Sequence, residues 1–230
     1  MNSKKTAILI FAQSAQREGT LKPFKQSVVL FEELNKQTLR KVEKSGLPYF
    51  LFSEKEQVGN TFAKRYTNAI EAIYQKGFEN IITIGNDTPH LQTKQLTETA
   101  KTLEQNPIVL GPSTDGGYYL MGLKKSHFNP SDFLKLPWGT SSLTRVISKL
   151  FSAKKTRIVF LKVLQDIDAV SDIKKILNSF KYIAVSLIKL LHSILSSEKT
   201  VLTKNSLFLE NLLHQSYFNK GSPVFLQVQV

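Results

Sequence analysis

Ile81-Ile82-Thr83-Ile84 is a run of β-prone residues without a charge, and it stops abruptly at Gly85. Such a run reads as a buried central strand of an α/β sheet, because strands of that kind are covered on both faces. Gly85-Asn86-Asp87-Thr88-Pro89 follows at once. Gly85 permits close backbone approach, and Pro89 stiffens the exit. In open α/β sheets ligands gather outside the carboxyl ends of the strands, so Asp87 falls where chemistry is expected. An aspartate that merely closes a turn would look the same. The rest of the chain has to separate the two.

Before that strand, Thr6 to Ala12 reads as another buried strand, leading into a polar loop from Gln13 to Lys25 with Arg17, Lys22 and Lys25. The loop after a first strand is where α/β nucleotide-binding folds place phosphate contacts. It holds neither GxGxxG nor GxxxxGK[ST], so any phosphate binding here is of another type. Helical spacing covers Ser27 to Lys44 and Thr61 to Lys76, with a short strand at Tyr49 to Phe52 between them. Beyond the opening strand come a helix from Thr93 to Gln105 and a strand at Ile108 to Leu110. Asp115-Gly116-Gly117 then reads as a tight turn with flexible φ, with a strand from Tyr118 to Leu123 leaving it. A carboxylate beside two glycines suits a polar ligand, and a plain hairpin turn would have the same composition.

Phe128 to Trp138 is expected as loop, with a helix from Ser141 or Ser142 to about Phe151 and a last core strand at Arg157 to Val163. That strand leads to Asp166-Ile167-Asp168. In an extended segment the two carboxylates face one side and could share a cation. Ser171 with Asp172 reads as a helix start. Strand and helix thus alternate up to Asp172, which implies a mostly parallel sheet with helices on both faces.

Composition narrows the chemistry. With no cysteine among 230 residues, disulfides, thiol nucleophiles and cysteine-ligated metals are excluded. The net charge of +13 favours anionic partners without choosing among them. The lysines are scattered, with no zinc finger or RNA-binding motif, so no nucleic-acid partner is expected and a solvated basic surface is the simpler explanation. The amino-terminal apolar run is too short for a signal peptide, so a cytoplasmic location is expected.

The ordered set Ile84-Gly85-Asn86-Asp87-Thr88-Pro89, Gly111-Pro112-Ser113-Thr114-Asp115-Gly116-Gly117-Tyr118-Tyr119-Leu120-Met121-Gly122-Leu123, Pro137-Trp138-Gly139-Thr140 and Asp166-Ile167-Asp168-Ala169-Val170-Ser171-Asp172 resembles a known family. It is similar to the bacterial glycosyltransferase-A-fold proteins of the radical-SAM/selenodomain-associated transferase type. More distantly it is similar to nucleotidyltransferases such as the molybdenum-cofactor and phospholactate guanylyltransferases. The resemblance implies an α/β three-layer sandwich with a mostly parallel central sheet, in the nucleotide-diphospho-sugar transferase superfamily. It implies Asp87, with Asp166 and Asp168, as ligands of Mg²⁺ or Mn²⁺. It places Asp115 in catalysis on the acceptor side, and Gly19, Lys22, Gly116, Gly117, Tyr118 and Trp138 around the substrate. Relatives carry an arginine and a proline after the first strand, then Gly and a Lys-Thr-Arg-Leu run. Here Gln13 stands for the arginine and Pro23-Phe24 for the Thr-Arg, so that only Gly19 and Lys22 keep the pattern.

The reading that follows is a transferase domain over residues 1–176 and a helical extension over 177–230. Its leading function is metal-dependent transfer from a nucleotide-activated donor, a nucleotide sugar, to an unnamed acceptor. Two alternatives remain: a nucleotidyltransferase releasing pyrophosphate, or a non-catalytic ligand-binding member of the fold, which the altered first loop motivates. The extension offers Ile183, Leu187, Leu190, Leu191 and Ile194 at helical spacing, followed by a second helix over 202–218 and a strand-like end over 224–230. It is too interrupted by charge for a transmembrane segment. So much apolar surface has to be covered, by the chain's own core with a homodimer as a further cover.

Overall fold

The computed structural model describes residues 5–178 and 183–197. Six strands form one sheet: β1 (Thr6–Phe11), β2 (Tyr49–Phe52), β3 (Asn80–Ile84), β4 (Ile108–Pro112), β5 (Tyr118–Lys124) and β6 (Ile158–Phe160), in the order β2-β1-β3-β5-β4-β6. β1 pairs in parallel with β2 and β3, and β4 with β6, whereas β5 runs antiparallel to both β3 and β4. The exception has a local cause. Only residues 113–117 join β4 to β5, and a connection that short can make a hairpin but not a parallel crossover.

The helices are α1 (Ala15–Leu21), α2 (Ser27–Glu43), α3 (Phe62–Gln75), α4 (Thr93–Gln105), α5 (Pro130–Leu134), α6 (Leu143–Ala153) and α7 (Val170–Leu177), followed by α8 over 185–197. Alternation along the strands sends side chains to two cores. Leu9, Ile81, Leu110 and Met121 face α3, α5 and α6 through Ile70, Phe133 and Ile147. Ile8, Ile82, Val109 and Leu120 face α2 and α4 through Val42, Leu96 and Leu103. The result is a three-layer α/β sandwich. β3 sits centrally with every residue buried, and each of its isoleucines removed from water contributes about 1.5–3 kcal/mol. Thr83 is the one hydroxyl among Ile81 to Ile84. Tyr66 and the Met121 carbonyl satisfy it at 2.5 Å and 3.3 Å.

Some local expectations change. The stretch Gln13 to Lys25 is not an open loop: Ala15–Leu21 is a helix whose N-cap Ser14 accepts from the Arg17 N–H. A polar composition hid it, and with seven residues it owes its stability to packing on α2 rather than to propensity. Phe128 to Trp138 contains α5, started by Asn129 accepting from Ser131 N–H and by Pro130 in the first turn. β6 is shorter than Arg157 to Val163 and is an edge strand, with Phe160 half exposed. α7 ends at Leu177, and the apolar helical spacing of the extension falls in the separate helix α8.

A third core joins α1, α2, α7 and α8: Ile183, Leu187, Leu191 and Ile194 are buried against Leu30, Phe31, Ile173 and Ile176. The face of α8 read from the sequence is therefore covered from within the chain. The expected helix over 202–218 and the strand over 224–230 lie outside the described residues. Among the described residues, no helix is long and apolar enough to cross a membrane.

Candidate active site

The chain winds from β1 out to β2 and then back across β1 to β3, so strand order reverses between β1 and β3. A crevice is expected outside the carboxyl ends there, and a cleft of about 540 Å³ occupies it. Phe11 ends β1 and Ile84, Gly85 and Asp87 end β3, and all of them line it. Ser113, Asp115, Gly117 and Tyr118 come from the β4–β5 turn, Asp166 and Asp168 from the segment after β6, and Trp138 from the segment after α5.

Backbone pairing beyond the strands brings the acids together. Leu164 bridges Ser113 in parallel, Leu164 N–H donates to the Pro112 carbonyl at 3.1 Å, and Thr114 N–H donates to the Leu164 carbonyl at 3.1 Å. The β4–β6 pairing is in effect prolonged past the sheet, which carries Asp166 and Asp168 alongside Asp115. Ile167 N–H donates to the Asp87 carbonyl at 3.0 Å and ties the same segment to β3.

The turn itself is held tightly. Gly116 has φ +94°, and a Cβ there would stand 2.0 Å from the Ser141 carbonyl oxygen. Thr144 N–H donates to the Gly116 carbonyl at 3.0 Å and the Thr144 hydroxyl to that of Gly117 at 2.5 Å, which docks the turn on the start of α6. Asp115 accepts from Gly117 N–H at 2.8 Å and from the Ser113 hydroxyl. The expected left-handed glycine is present, and its companion requirement, a missing side chain against Ser141, is one that sequence does not show.

Carboxylate oxygens of Asp115, Asp166 and Asp168 lie within 4.8 Å of one another. Burial, and then the negative charges of Asp87 and Asp115, push the Asp166 carboxyl up to about 7. Asp87 lies outside that 4.8 Å group but shares Lys22 with Asp168. It accepts at 3.2 Å from the Lys22 ammonium, which also reaches Asp168 at 2.8 Å, the Ile167 carbonyl at 2.9 Å and Glu18 at 3.7 Å. The ammonium lies 4.9 Å from the centre of the Phe31 ring. Burial would lower the Lys22 ammonium, but Asp87, Glu18 and Asp168 outweigh it and hold it above the usual lysine range. Burial raises the Glu18 carboxyl, against the pull of Lys22.

Of the residues named from the sequence, Asp87, Asp115, Gly117, Tyr118, Trp138, Asp166 and Asp168 line the cleft, whereas Gly19, Lys22 and Gly116 do not. Gly19 is in α1, where a Cβ would lie 2.4 Å from a Val28 methyl, so it serves the close approach of α1 to α2. Among the described residues, no lysine, arginine or histidine lines the cleft. Sequence reasoning missed Phe11, Phe62 and Tyr66, which line the cleft with Tyr118 and Trp138. Phe11 reads as ordinary strand core and Tyr66 as ordinary helix core. Only Phe62, a phenylalanine directly after the Thr61 helix cap, offered a signal.

The donor set of three carboxylates is all hard oxygen, which suits a cation such as Mg²⁺ or Mn²⁺. The fold and this arrangement can be set beside known proteins. A structure from Desulfovibrio desulfuricans G20, provisionally described as a nucleotide-diphospho-sugar transferase, is 18% identical, covering 84% of this chain and 97% of that one with a TM-score of 0.73. Looser likenesses are Rv0371c from Mycobacterium tuberculosis H37Rv (15% identical, 77% of this chain and 100% of that one, TM-score 0.46) and a cytidylyltransferase from Leptospira borgpetersenii serovar Hardjo-bovis (16%, 84% and 95%, TM-score 0.42). At these identities the likeness is one of fold, that of the glycosyltransferase-A-like nucleotide-diphospho-sugar transferases. No curated protein matches the chain. The profile of a bacterial family matches residues 22–140, just over half of the 230 residues and a span that includes Asp87, Asp115 and Trp138, and the chain belongs to that family, described as "Uncharacterized protein conserved in bacteria (DUF2064)".

Proposed function

We propose that this chain is a metal-dependent transferase acting on a nucleotide-activated donor, with a nucleotide sugar as that donor. The observation that carries it is the charge of the cleft: four aspartates line it, among the described residues no basic side chain does, and Lys22 offsets only part of that charge by pairing with Asp87 and Asp168. A diphosphate entering such a cleft would be repelled unless a divalent cation accompanied it. Asp115, Asp166 and Asp168 would hold that ion, Mg²⁺ or Mn²⁺, and their mutual proximity supports the assignment. When bound, the ion would neutralise charge building on the leaving diphosphate.

Asp115 then moves from the acceptor-side role that the resemblance implies into the metal set, its geometry held by Gly117 N–H and Ser113. Asp87 acts one step back. Its carboxylate keeps Lys22 in place, and Lys22 orients Asp168. Gly117, Tyr118 and Trp138 line the space left for donor and acceptor. The stretch after β1 is poor in glycine and only moderately basic, which weighs against nucleotidyl transfer with release of pyrophosphate. The radical-SAM/selenodomain-associated type, a cytoplasmic location, and the division into a 1–176 domain and a 177–230 extension go with the same reading.

Calorimetric titration of Mn²⁺ in the presence of nucleoside diphosphates tests it. Asp115→Asn and Asp166→Asn should each weaken Mn²⁺ binding by roughly 100-fold, and Asp87→Asn by about tenfold, as befits a supporting residue. Equal Mn²⁺ affinity in wild type, Asp115→Asn and Asp166→Asn would overturn the assignment.

A further inference from the structure

Besides the carboxylates, the cleft has a wall of aromatic rings. Phe11, Phe62, Tyr66, Tyr118 and Trp138 all line the cleft. Trp138 sits 5.2 Å from Phe62, 5.0 Å from Tyr66 and 6.3 Å from Tyr118 between ring centroids, and Phe62 stacks on Tyr66 with 15° between planes. Edge and stacked contacts at such spacings hold rings rigidly.

The polar atoms of this wall are spent inward. Thr83 donates to the Met121 carbonyl, so Tyr66 must donate to Thr83, and Tyr118 donates in turn to Tyr66 at 2.9 Å. Burial keeps both phenols protonated, Tyr66 being pushed up to about 12. The Trp138 indole N–H donates to the Phe133 carbonyl at 2.8 Å. What remains towards the cleft is aromatic carbon. Phe62 lines the cleft and is the most exposed of the five rings, at 43%.

We propose that this wall is a stacking subsite for an uncharged flat ring of the ligand, centred on Phe62 and Trp138. It rests on the transferase reading and adds the chemistry of the group that lies away from the phosphates. Either a nucleobase or the apolar face of a sugar ring presents such a surface, and both stack on aromatic side chains without needing a hydrogen bond from the wall. An anionic group finds no counterpart here, since the charged side chains that line the cleft are carboxylates.

Trp138 is the only tryptophan in the chain, so its fluorescence reports on this wall alone. Titrations with guanosine, cytidine and methyl glucoside, without metal, use probes that owe nothing to the carboxylate site. We expect saturable quenching or shift of the Trp138 emission. A response to the nucleosides identifies the base as the ring, and a response to the glucoside identifies the sugar. Phe62→Ala should weaken the responding probe about tenfold, while Phe62→Tyr restores it. Because Phe62 is partly exposed, both variants should fold, as circular dichroism would verify. Asp166→Asn should leave probe binding unchanged while losing Mn²⁺, which separates a failure of the ring subsite from a failure of the metal reading. Trp138 emission unaffected by all three probes up to their solubility limits, or binding equally strong in Phe62→Ala, would overturn the proposal.

Discussion

Asp87 and Asp115 each follow a strand of one sheet, and each is carried by a glycine-containing turn, yet their surroundings are opposite. Asp87 meets a cation supplied by the chain itself, Lys22, whose side chain is only 16% exposed and which serves Glu18 and Asp168 as well. Asp115 meets amide and hydroxyl donors, and beyond them another acid, Asp166, with no lysine or arginine near enough to pair among the described residues. Lys22 offsets part of the charge of Asp87 and Asp168, whereas Asp115 and Asp166 have no basic partner among the described residues, and clustered carboxylates of that kind favour protonation or a shared cation. The difference teaches that a motif match locates a carboxylate but not its electrostatic role. The resemblance implies Asp87 as a metal ligand, and the function proposed above gives that place to Asp115, beside Asp166 and Asp168.

The largest blow to this comparison should come from the Asp115 turn. Gly116→Val adds a Cβ where the Ser141 carbonyl stands, at a φ of +94°. Strain and overlap together should cost about 3 kcal/mol or more, read as a lowered denaturant midpoint. Mn²⁺ binding should be lost with it, because Asp115 depends on Gly117 N–H. A variant with wild-type stability would mean that the turn is not held against α6.

Next comes the Asp87 side. Lys22→Met removes the one cation shared by Asp87, Glu18 and Asp168. Full burial would make this a loss of 3–5 kcal/mol; with Asp168 half exposed, about 2 kcal/mol is expected. Mn²⁺ should raise the melting temperature of Lys22→Met less than that of wild type, since Lys22 no longer orients Asp168. No loss on mutation, or an undiminished gain from Mn²⁺, would show that Lys22 does not support the ion site.

The smallest effect is a pH dependence. A folded-state carboxyl raised from 3.8 to about 7, as at Asp166, contributes stability that is fully present below the lower value and is lost as pH rises through the upper one. Asn cannot ionise, so Asp166→Asn should match wild type in acid and melt higher than it above pH 7. Thermal scans from acid to alkaline pH check this, and saturating Mn²⁺ should close the gap by stabilising the ionised wild type. A constant difference at every pH would remove the repulsion among Asp87, Asp115 and Asp166 from the account.

The strands were legible because burial imposes a period: Ile81 to Ile84, Ile8 to Ile10 and Ile108 to Leu110 are all buried where apolar runs predict them. The helices at Ser27–Glu43, Phe62–Gln75 and Thr93–Gln105 follow equally from spacing and from terminators such as Gly77 and Pro107. The positive φ at Gly116 was also readable, since a hairpin turn demands it. α1 was not, because a seven-residue polar helix exists only by virtue of α2 beneath it. Nor was the aromatic wall, whose rings come from β1, α3, β5 and the segment after α5.

Local chemistry thus determined the elements, their alternation, the Asp-Gly-Gly turn and the order of the acidic motifs along the chain. Neighbouring residues carry those signals, and burial and backbone preference act on neighbours. Only the tertiary structure decided which acid meets which charge. Lys22 reaches Asp87 across 65 positions, and Asp166 and Asp168 reach Asp115 because the backbone after β6 continues to pair with the backbone after β4. Coulomb interactions depend on distance in space and on shielding by the surrounding protein, and both are set by the strand order β2-β1-β3-β5-β4-β6 rather than by spacing in the sequence.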